Sequence, residues 1–328
     1  MPSSKVARCR ICGADAPSKT YRVREMLHGT RESFTYFECA ACGCVQIDNI
    51  PSDLGRFYPD NYFAFRPYDS LARNPVRRWI DPRRVKHSFG GGSILGAVAE
   101  AVSWPLDYVQ WVRRAGLDWN ARVLDVGCGA GKTLLCMALG GFQGCEGVDP
   151  FIAKTLRYGV GVTVHKATLE AFAAAGGKSF DLIMFHHSFE HVIDPLADLR
   201  TAASLLAPDG CILIEIPVAD GWAWEHYKEN WCNLDPPRHL HLLTDKSMAI
   251  LAKDAGLKVA DAVSVSHASQ FTGSERYLRD IPADDKIKDR ALFTRAQLAG
   301  YRARTKALNL EGRGDQTMFY LRRADSPR

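Results

Sequence analysis

The sequence has no apolar run long enough to span a bilayer; the longest, near Ile94 to Val102, is broken by Gly96 and Glu100. It does not open with a charged start followed by an apolar core, so the expectation is a cytoplasmic protein with no membrane partner. Neither sign of charge dominates: 42 Lys and Arg against 37 Asp and Glu leave +5 over 328 residues. That is too mild to indicate a nucleic-acid partner, although Arg73 to Lys86 is locally basic and reads as a solvated face. Cysteine is not scarce, but the ten cysteines lack the pattern of a disulfide framework. Four form two CxxC pairs and the rest lie among apolar residues, which in a reducing compartment points to metal for the pairs and buried thiols elsewhere.

What the sequence does hold is a strand, glycine turn, helix and strand from Arg122 to Pro150. Val123, Leu124 and Val126 form a short apolar run, and Gly127, Gly129 and Gly131 then fall at every second position. Thr133 to Leu139 follows as an apolar helix, and Glu146 to Asp149 ends a second strand. Such a crossover puts its loops at the carboxyl ends of parallel strands, where open α/β sheets bind ligands. Two phosphate-binding patterns are missed. GxGxxG fails because its third glycine position is Lys132, and GxxxxGK[ST] fails because its first is Val126. Both patterns cradle phosphate on backbone N–H groups, and Asp125 inside this turn would repel it. A cationic ligand suits that carboxylate.

Asp125 followed by alternate glycines, with Asp149 eighteen residues past Gly131, resembles the class I S-adenosylmethionine-dependent methyltransferases. The resemblance covers roughly Gly116 to the C-terminus. It implies an α/β, Rossmann-like seven-stranded sheet with helices on both faces. It also implies S-adenosylmethionine as cofactor: Gly127, Gly129 and Gly131 would let the backbone approach the methionine moiety and sugar near Asp125. Asp149 would accept from the ribose hydroxyls. Thr168 and Leu169 would stand near the adenine, and His186 at the tip of the fourth strand would complete the cofactor set.

Cys9-Arg-Ile-Cys12 and Cys39-Ala-Ala-Cys42 are each followed by glycine, the zinc-knuckle pattern, with 26 residues between the pairs. Thr20 to Val23 and Phe34 to Glu38 read as short strands between them, giving a small N-terminal zinc ribbon. A closed four-thiolate site leaves no open position for chemistry, so the expected zinc is structural, and Cys44 is a fifth thiol within reach. The expected organisation is a ribbon and aromatic linker over 1–65, a helical linker or lid over 66–118, and the methyltransferase domain over 119–328 with an insertion near 268–314. The aromatic segment Phe57 to Phe63 reads either as packing or as a lid. Ser93 is a candidate cap for a helix from Ile94, and Pro105 starts another through Val112.

The remaining strands are expected at Gly161 to His165, Phe180 to Phe185, Cys211 to Ile216 after a turn at Pro208-Asp-Gly210, Lys258 to Val265 and Gln316 to Leu321. The resemblance implies that the last two close the sheet as a reversed hairpin. After the fourth strand come His187, Glu190 and His191; a helical start would put both histidines on one face, as base, capping pair or metal set. Trp222, Trp224, Tyr227 and Trp231 suggest an aromatic-lined acceptor pocket. Pro236-Pro237-Arg238-His239-Leu240 resembles a segment of zinc-module methyltransferases of sugar and secondary-metabolite pathways, which makes His239 a second base candidate with Tyr227 beside it. His241 reads as a residue before the helix capped by Thr244. The reading is methyl transfer to an oxygen or carbon of a small polar acceptor such as a sugar or polyketide, by a chain able to form a homodimer. An RNA- or protein-directed methyltransferase is the alternative. Against it stand the modest charge and His186-His187-Ser188-Phe189 where amine-directed enzymes carry Asn-Pro-Pro-Tyr. A cofactor-binding scaffold without catalysis is a third reading.

Overall fold

In a computed structural model, residues 8–15, 17–58, 63–92, 94–101, 106–176 and 178–326 are described. Pro59 to Tyr62 of the aromatic segment, the cap at Ser93 and the helix start at Pro105 lie outside them. No helix among the described residues is long and apolar enough to cross a membrane. The described strands are β1 (Pro17–Arg24), β2 (Ser33–Cys39), β3 (Val45–Ile47), β4 (Arg122–Val126), β5 (Gly144–Val148) and β6 (Leu156–Tyr158). They continue as β7 (Val162–His165), β8 (Phe180–His186), β9 (Leu206–Pro217), β10 (His241–Leu242), β11 (Leu257–Ser264) and β12 (Gln316–Arg323).

The chain divides into two compact units that interleave along it. The first comprises Met1–Pro59, Phe189–Ala197 and Ile214–Phe319, and the second Asp60–Ser188, Asp198–Leu213 and Tyr320–Arg328. In the second unit the strand order is β9-β8-β4-β5-β7-β6. β8, β4, β5 and β7 run parallel to one another, and β6 pairs antiparallel with β7. β8 is mostly apolar, as a strand buried on both faces requires. Phe180, Leu182, Ile183, Met184 and Phe185 of β8 are all buried. β6 was not anticipated; three residues, one of them exposed, carry too little periodicity to announce a strand.

The first unit holds an antiparallel sheet of order β1-β2-β3-β10. Its last strand comes from far along the chain: His241 pairs with Gln46 and Leu242 with Val45. The N-terminal ribbon therefore shares its sheet with the segment after His239. The strand order β11-β12-β9 puts β12 beside β9 and β11 outside it. The core of the first unit gathers Tyr21, Tyr36, Trp224, Trp231, Leu240 and Leu242, among others.

Three local expectations are corrected. Pro208-Asp-Gly210 does not turn the chain: β9 runs unbroken from Leu206 to Pro217, with Pro208 and Asp209 simply exposed on it. Within the insertion near 268–314 the sequence reads as one helix from Asp289 to Leu308, but the structure has two, Asp289–Leu292 and Arg295–Leu310. Thr294 starts the second with a capping box closed by Gln297. His187 and His191 do not share a helical face: His187 sits at φ +52° beyond β8, and only Phe189–His191 forms a 3-10 turn.

Candidate active site

In the second unit, β4 ends at the glycine turn. Asp125 is buried, and one of its carboxylate oxygens has no hydrogen-bond partner. Burial pushes its carboxyl up to about 7, with His186 working against the rise. Gly127, Gly129 and Gly131 all have positive φ, which only glycine adopts without strain. Their smallness is also used by the protein itself. A Cβ on Gly129 would stand 2.4 Å from the Ala64 carbonyl oxygen, which accepts from Ala130 N at 2.7 Å. A Cβ on Gly127 would meet Ser188, and one on Gly131 would meet Val164. The expected approach of a ligand is therefore joined by a second constraint, close packing against neighbouring segments. Asp149 accepts from Gly129 N (2.9 Å) and Phe151 N (2.8 Å), so it ties the tip of β5 to the turn. Its carboxyl is raised by burial against these bonds.

Thr168 caps the helix Leu169–Ala174 through Ala171 N, and Leu169 is buried. Two supports escaped sequence reasoning. Tyr158 donates to the Ala130 carbonyl at 2.8 Å, and the Trp111 ring lies 5.0 Å from that of His186. His186 in turn meets His187 edge-on at 4.9 Å. His187 is held in the left-handed region, a strained conformation for a non-glycine residue.

In the first unit, the structure brings together His191 and His239, with ring centroids 4.8 Å apart. Ligating atoms of Glu190, His191 and His239 lie within 4.8 Å of one another. His239 Nδ1 faces the Asn233 carbonyl at 2.7 Å and His191 Nδ1 faces that of Arg238 at 2.8 Å. A carbonyl only accepts, so each Nδ1 carries a proton. His239 Nε2 stands 3.7 Å from Asp235 and 3.8 Å from Glu190, too far for a hydrogen bond to either. Burial holds the His239 ring below the usual histidine range and therefore neutral at pH 7.

Tyr227 is placed differently. It is buried in the core and its hydroxyl donates to Glu275 at 3.3 Å. Trp224 and Trp231 are also core residues, and Trp231 Nε1 donates to Asp315 at 2.9 Å. They pack into the core of the unit. His241 is not a helix-entry residue but part of β10, buried, with Nε2 on the Val192 carbonyl at 3.1 Å.

The description "Methyltransferase domain" matches residues 104–262. A ubiquinone biosynthesis O-methyltransferase of Parvibaculum lavamentivorans is 32% identical over 175 residues, covering 46% of this chain and 67% of that protein. The chain belongs to the S-adenosylmethionine-dependent methyltransferase family. Proteins of the same description from Serratia proteamaculans (32% over 125 residues) and Xanthomonas campestris pv. campestris (40% over 116) match 36% and 33% of it. The chain spans about half the length of these two, 51% and 47%. A methyltransferase structure from Archaeoglobus fulgidus aligns at 18% identity with TM-score 0.40, over 70% of this chain and 99% of that one. So low a score carries no functional weight.

Two carboxylates beside the glycine turn fit the cofactor of such a methyltransferase-family chain. The unpartnered Asp125 oxygen suits a cationic ligand, and Asp149 retains accepting capacity beyond its two N–H bonds. The four cysteines also form a coherent set. Cys9 and Cys42 sulfurs are 3.7 Å apart, Cys12 and Cys39 sulfurs 3.6 Å, and all four lie within 4.8 Å of one another. A tetrahedron with 2.3 Å zinc–sulfur bonds has edges of roughly 3.8 Å. None of the four is in a disulfide. Gln46 Nε2 donates to Cys9 Sγ at 3.1 Å, an outer-shell contact of the kind that orients ligands. Cys44 stays apart from the cluster; it is fully buried, and burial pushes its thiol up.

Proposed function

We propose that this methyltransferase-family chain moves a methyl group from S-adenosylmethionine to an oxygen of a small polar metabolite. The observation that carries the reading is the buried Asp125 carboxylate, unpartnered on one oxygen, at the end of β4 beside the glycine turn. The relatives named as ubiquinone biosynthesis O-methyltransferases favour oxygen over carbon as the acceptor atom.

The bound cofactor supplies an electrophilic methyl on a sulfonium that departs as a neutral thioether. Asp125 and Asp149 hold it by charge and hydrogen bonding, with Gly127, Gly129, Gly131, Thr168, Leu169 and His186 around it. The acceptor hydroxyl loses its proton to a histidine Nε2, with His239 the first choice and His191 and His187 as companions. His239 suits the role because its Nδ1–H is fixed on the Asn233 carbonyl, which leaves Nε2 basic. Tyr227 acts, in this reading, through packing and not through its hydroxyl. Cys9, Cys12, Cys39 and Cys42 hold a structural zinc.

The test is transfer of label from methyl-tritiated S-adenosylmethionine to a panel of phenolic and sugar acceptors, with products identified by mass spectrometry. Labelled product that disappears in Asp149→Ala supports the reading. No transfer to any acceptor, together with no calorimetric binding of S-adenosylhomocysteine, sinks it.

A further inference from the structure

Glu25, just past β1, and Tyr36 on β2 are two buried residues of the four-cysteine module whose polar groups take no part in holding thiolates. Glu25 is fully buried and accepts from His28 N (2.9 Å), from Thr30 N and Oγ1 (both 3.0 Å), and from Arg238 Nη2 (3.3 Å). Burial opposes its ionisation, but these donors outweigh it and keep the carboxyl below the usual range. Arg238 is fully buried too, and clamps Asp235 with Nε (2.8 Å) and Nη2. Tyr36 on β2 is buried and donates its hydroxyl to the His239 carbonyl at 2.7 Å.

A buried ion triad is a poor source of stability, because desolvation offsets most of the attraction. What this one does fix is geometry. Arg238 and Asp235 bracket the turn that ends in His239, and Asp235 is one of the two carboxylates facing its Nε2. The next residue is fixed from both sides: Leu240 N donates to the Glu190 carbonyl at 2.8 Å, and its own carbonyl accepts from Ile47 N at 3.1 Å. Among the described residues, Glu190 and His191, whose Nδ1 faces the Arg238 carbonyl, hold this turn together with Glu25, Tyr36, Ile47 and Phe57 of the cysteine module and the segment just after it.

We propose that Glu25 and Tyr36 are positioning residues for His239, so that the four-cysteine module serves the acceptor end by fixing the direction of the His239 ring. This rests on the reading of His239 as the base.

The experiment uses the full zinc-loaded chain with Tyr36→Phe, which removes one oxygen and keeps the ring, and with Glu25→Gln and Glu25→Asp. The His239 Cε1–Hε1 cross-peak in carbon–proton NMR is assigned by its loss in His239→Gln. The expected result is a displacement of several line widths, or splitting, in Tyr36→Phe and Glu25→Gln. Glu25→Asp should return the peak part of the way, which a merely structural role would not require. Binding of S-adenosylhomocysteine, measured by calorimetry, should change less than twofold. A His239 peak that stays within one line width in a folded Tyr36→Phe protein overturns the proposal, whatever Glu25→Gln does. The base reading fails separately, if His239→Gln retains full methyl transfer.

Discussion

Asp125 is the residue at which electrostatics and cofactor binding meet. Its carboxyl is pushed up to about 7 by burial, so near neutrality the ligand-free protein holds it partly protonated. A cationic ligand requires the ionised form. Affinity for S-adenosylmethionine should therefore fall by up to about tenfold per pH unit below 7. Calorimetry at pH 6.5 in two buffers of different ionisation enthalpy should show proton release on binding, and Asp125→Asn should abolish both effects at the cost of affinity. The sign for stability is the opposite. The folded carboxyl keeps its proton up to about 7 while the unfolded one loses it near its ordinary value of 3.8, so ligand-free stability falls as pH rises between those values. Asp125→Asn should then be the more stable protein at pH 8, by on the order of 4 kcal/mol at most, read by urea denaturation. Gly129 gives a second prediction by contrast with Gly161, since both have positive φ. Alanine at Gly161 meets open space and should cost only roughly 1 kcal/mol of backbone strain. Alanine at Gly129 puts a Cβ 2.4 Å from a backbone oxygen that cannot swing away, and should cost roughly 3 kcal/mol or more by the same measurement. Equal costs would mean that the Ala64 segment does not press on the turn.

Among the elements, the helix Asp245–Asp254 shows how one side chain serves two structures. Thr244 caps it through Ser247 N, and its hydroxyl also donates at 2.7 Å to the carbonyl of Cys42, inside the second knuckle. Thr244→Ala should cost roughly 1–2 kcal/mol, and Thr244→Ser, which keeps the oxygen, well under half of that. Chemical denaturation of the two variants decides it. Thr244 as a cap was legible in the sequence, and so were Asp125, the glycine turn, Asp149 and both CxxC pairs, because each is a local pattern with a local cause. Contacts set by long-range pairing were not. Nothing near His241 announces that it will pair with Gln46, and Glu25 meets Arg238 across more than two hundred residues. Trp224 and Trp231 pose a related difficulty: an aromatic cluster reads alike in a pocket wall and in a core, and the sequence could not show that both are buried in this core. The break before Thr294 is different, since Thr294 and Gln297 spell a capping box that the helical periodicity on either side obscured.

For the whole molecule, the interleaved units predict that two kinds of ligand act on two different sets of amides. A ligand that binds the folded state only stabilises what it binds by RT ln(1 + [L]/Kd), roughly 2.7 kcal/mol at a hundredfold excess over Kd. In the proposed reading S-adenosylhomocysteine engages Asp125, the glycine turn and Asp149, all in the second unit, so saturating it should slow hydrogen exchange first in β4, β5 and the turn between Gly127 and Gly131. The four cysteines belong to the first unit, and a structural tetrathiolate contributes its binding energy to folding. Removing the proposed zinc with a chelator should release the two knuckles and β3. Because β3 pairs with β10, and Thr244 donates to Cys42, exchange should also rise at His241 to Thr244, nearly two hundred residues from the second knuckle. Exchange followed by mass spectrometry on the intact chain separates these segments in one experiment. Faster exchange confined to residues 8–47 after chelation would show that β10 holds its place without the metal, and would remove the sheet as the link between the cysteines and the His239 segment. Faster exchange in both stretches, with β4 and β5 unchanged, is the outcome the strand pairing requires.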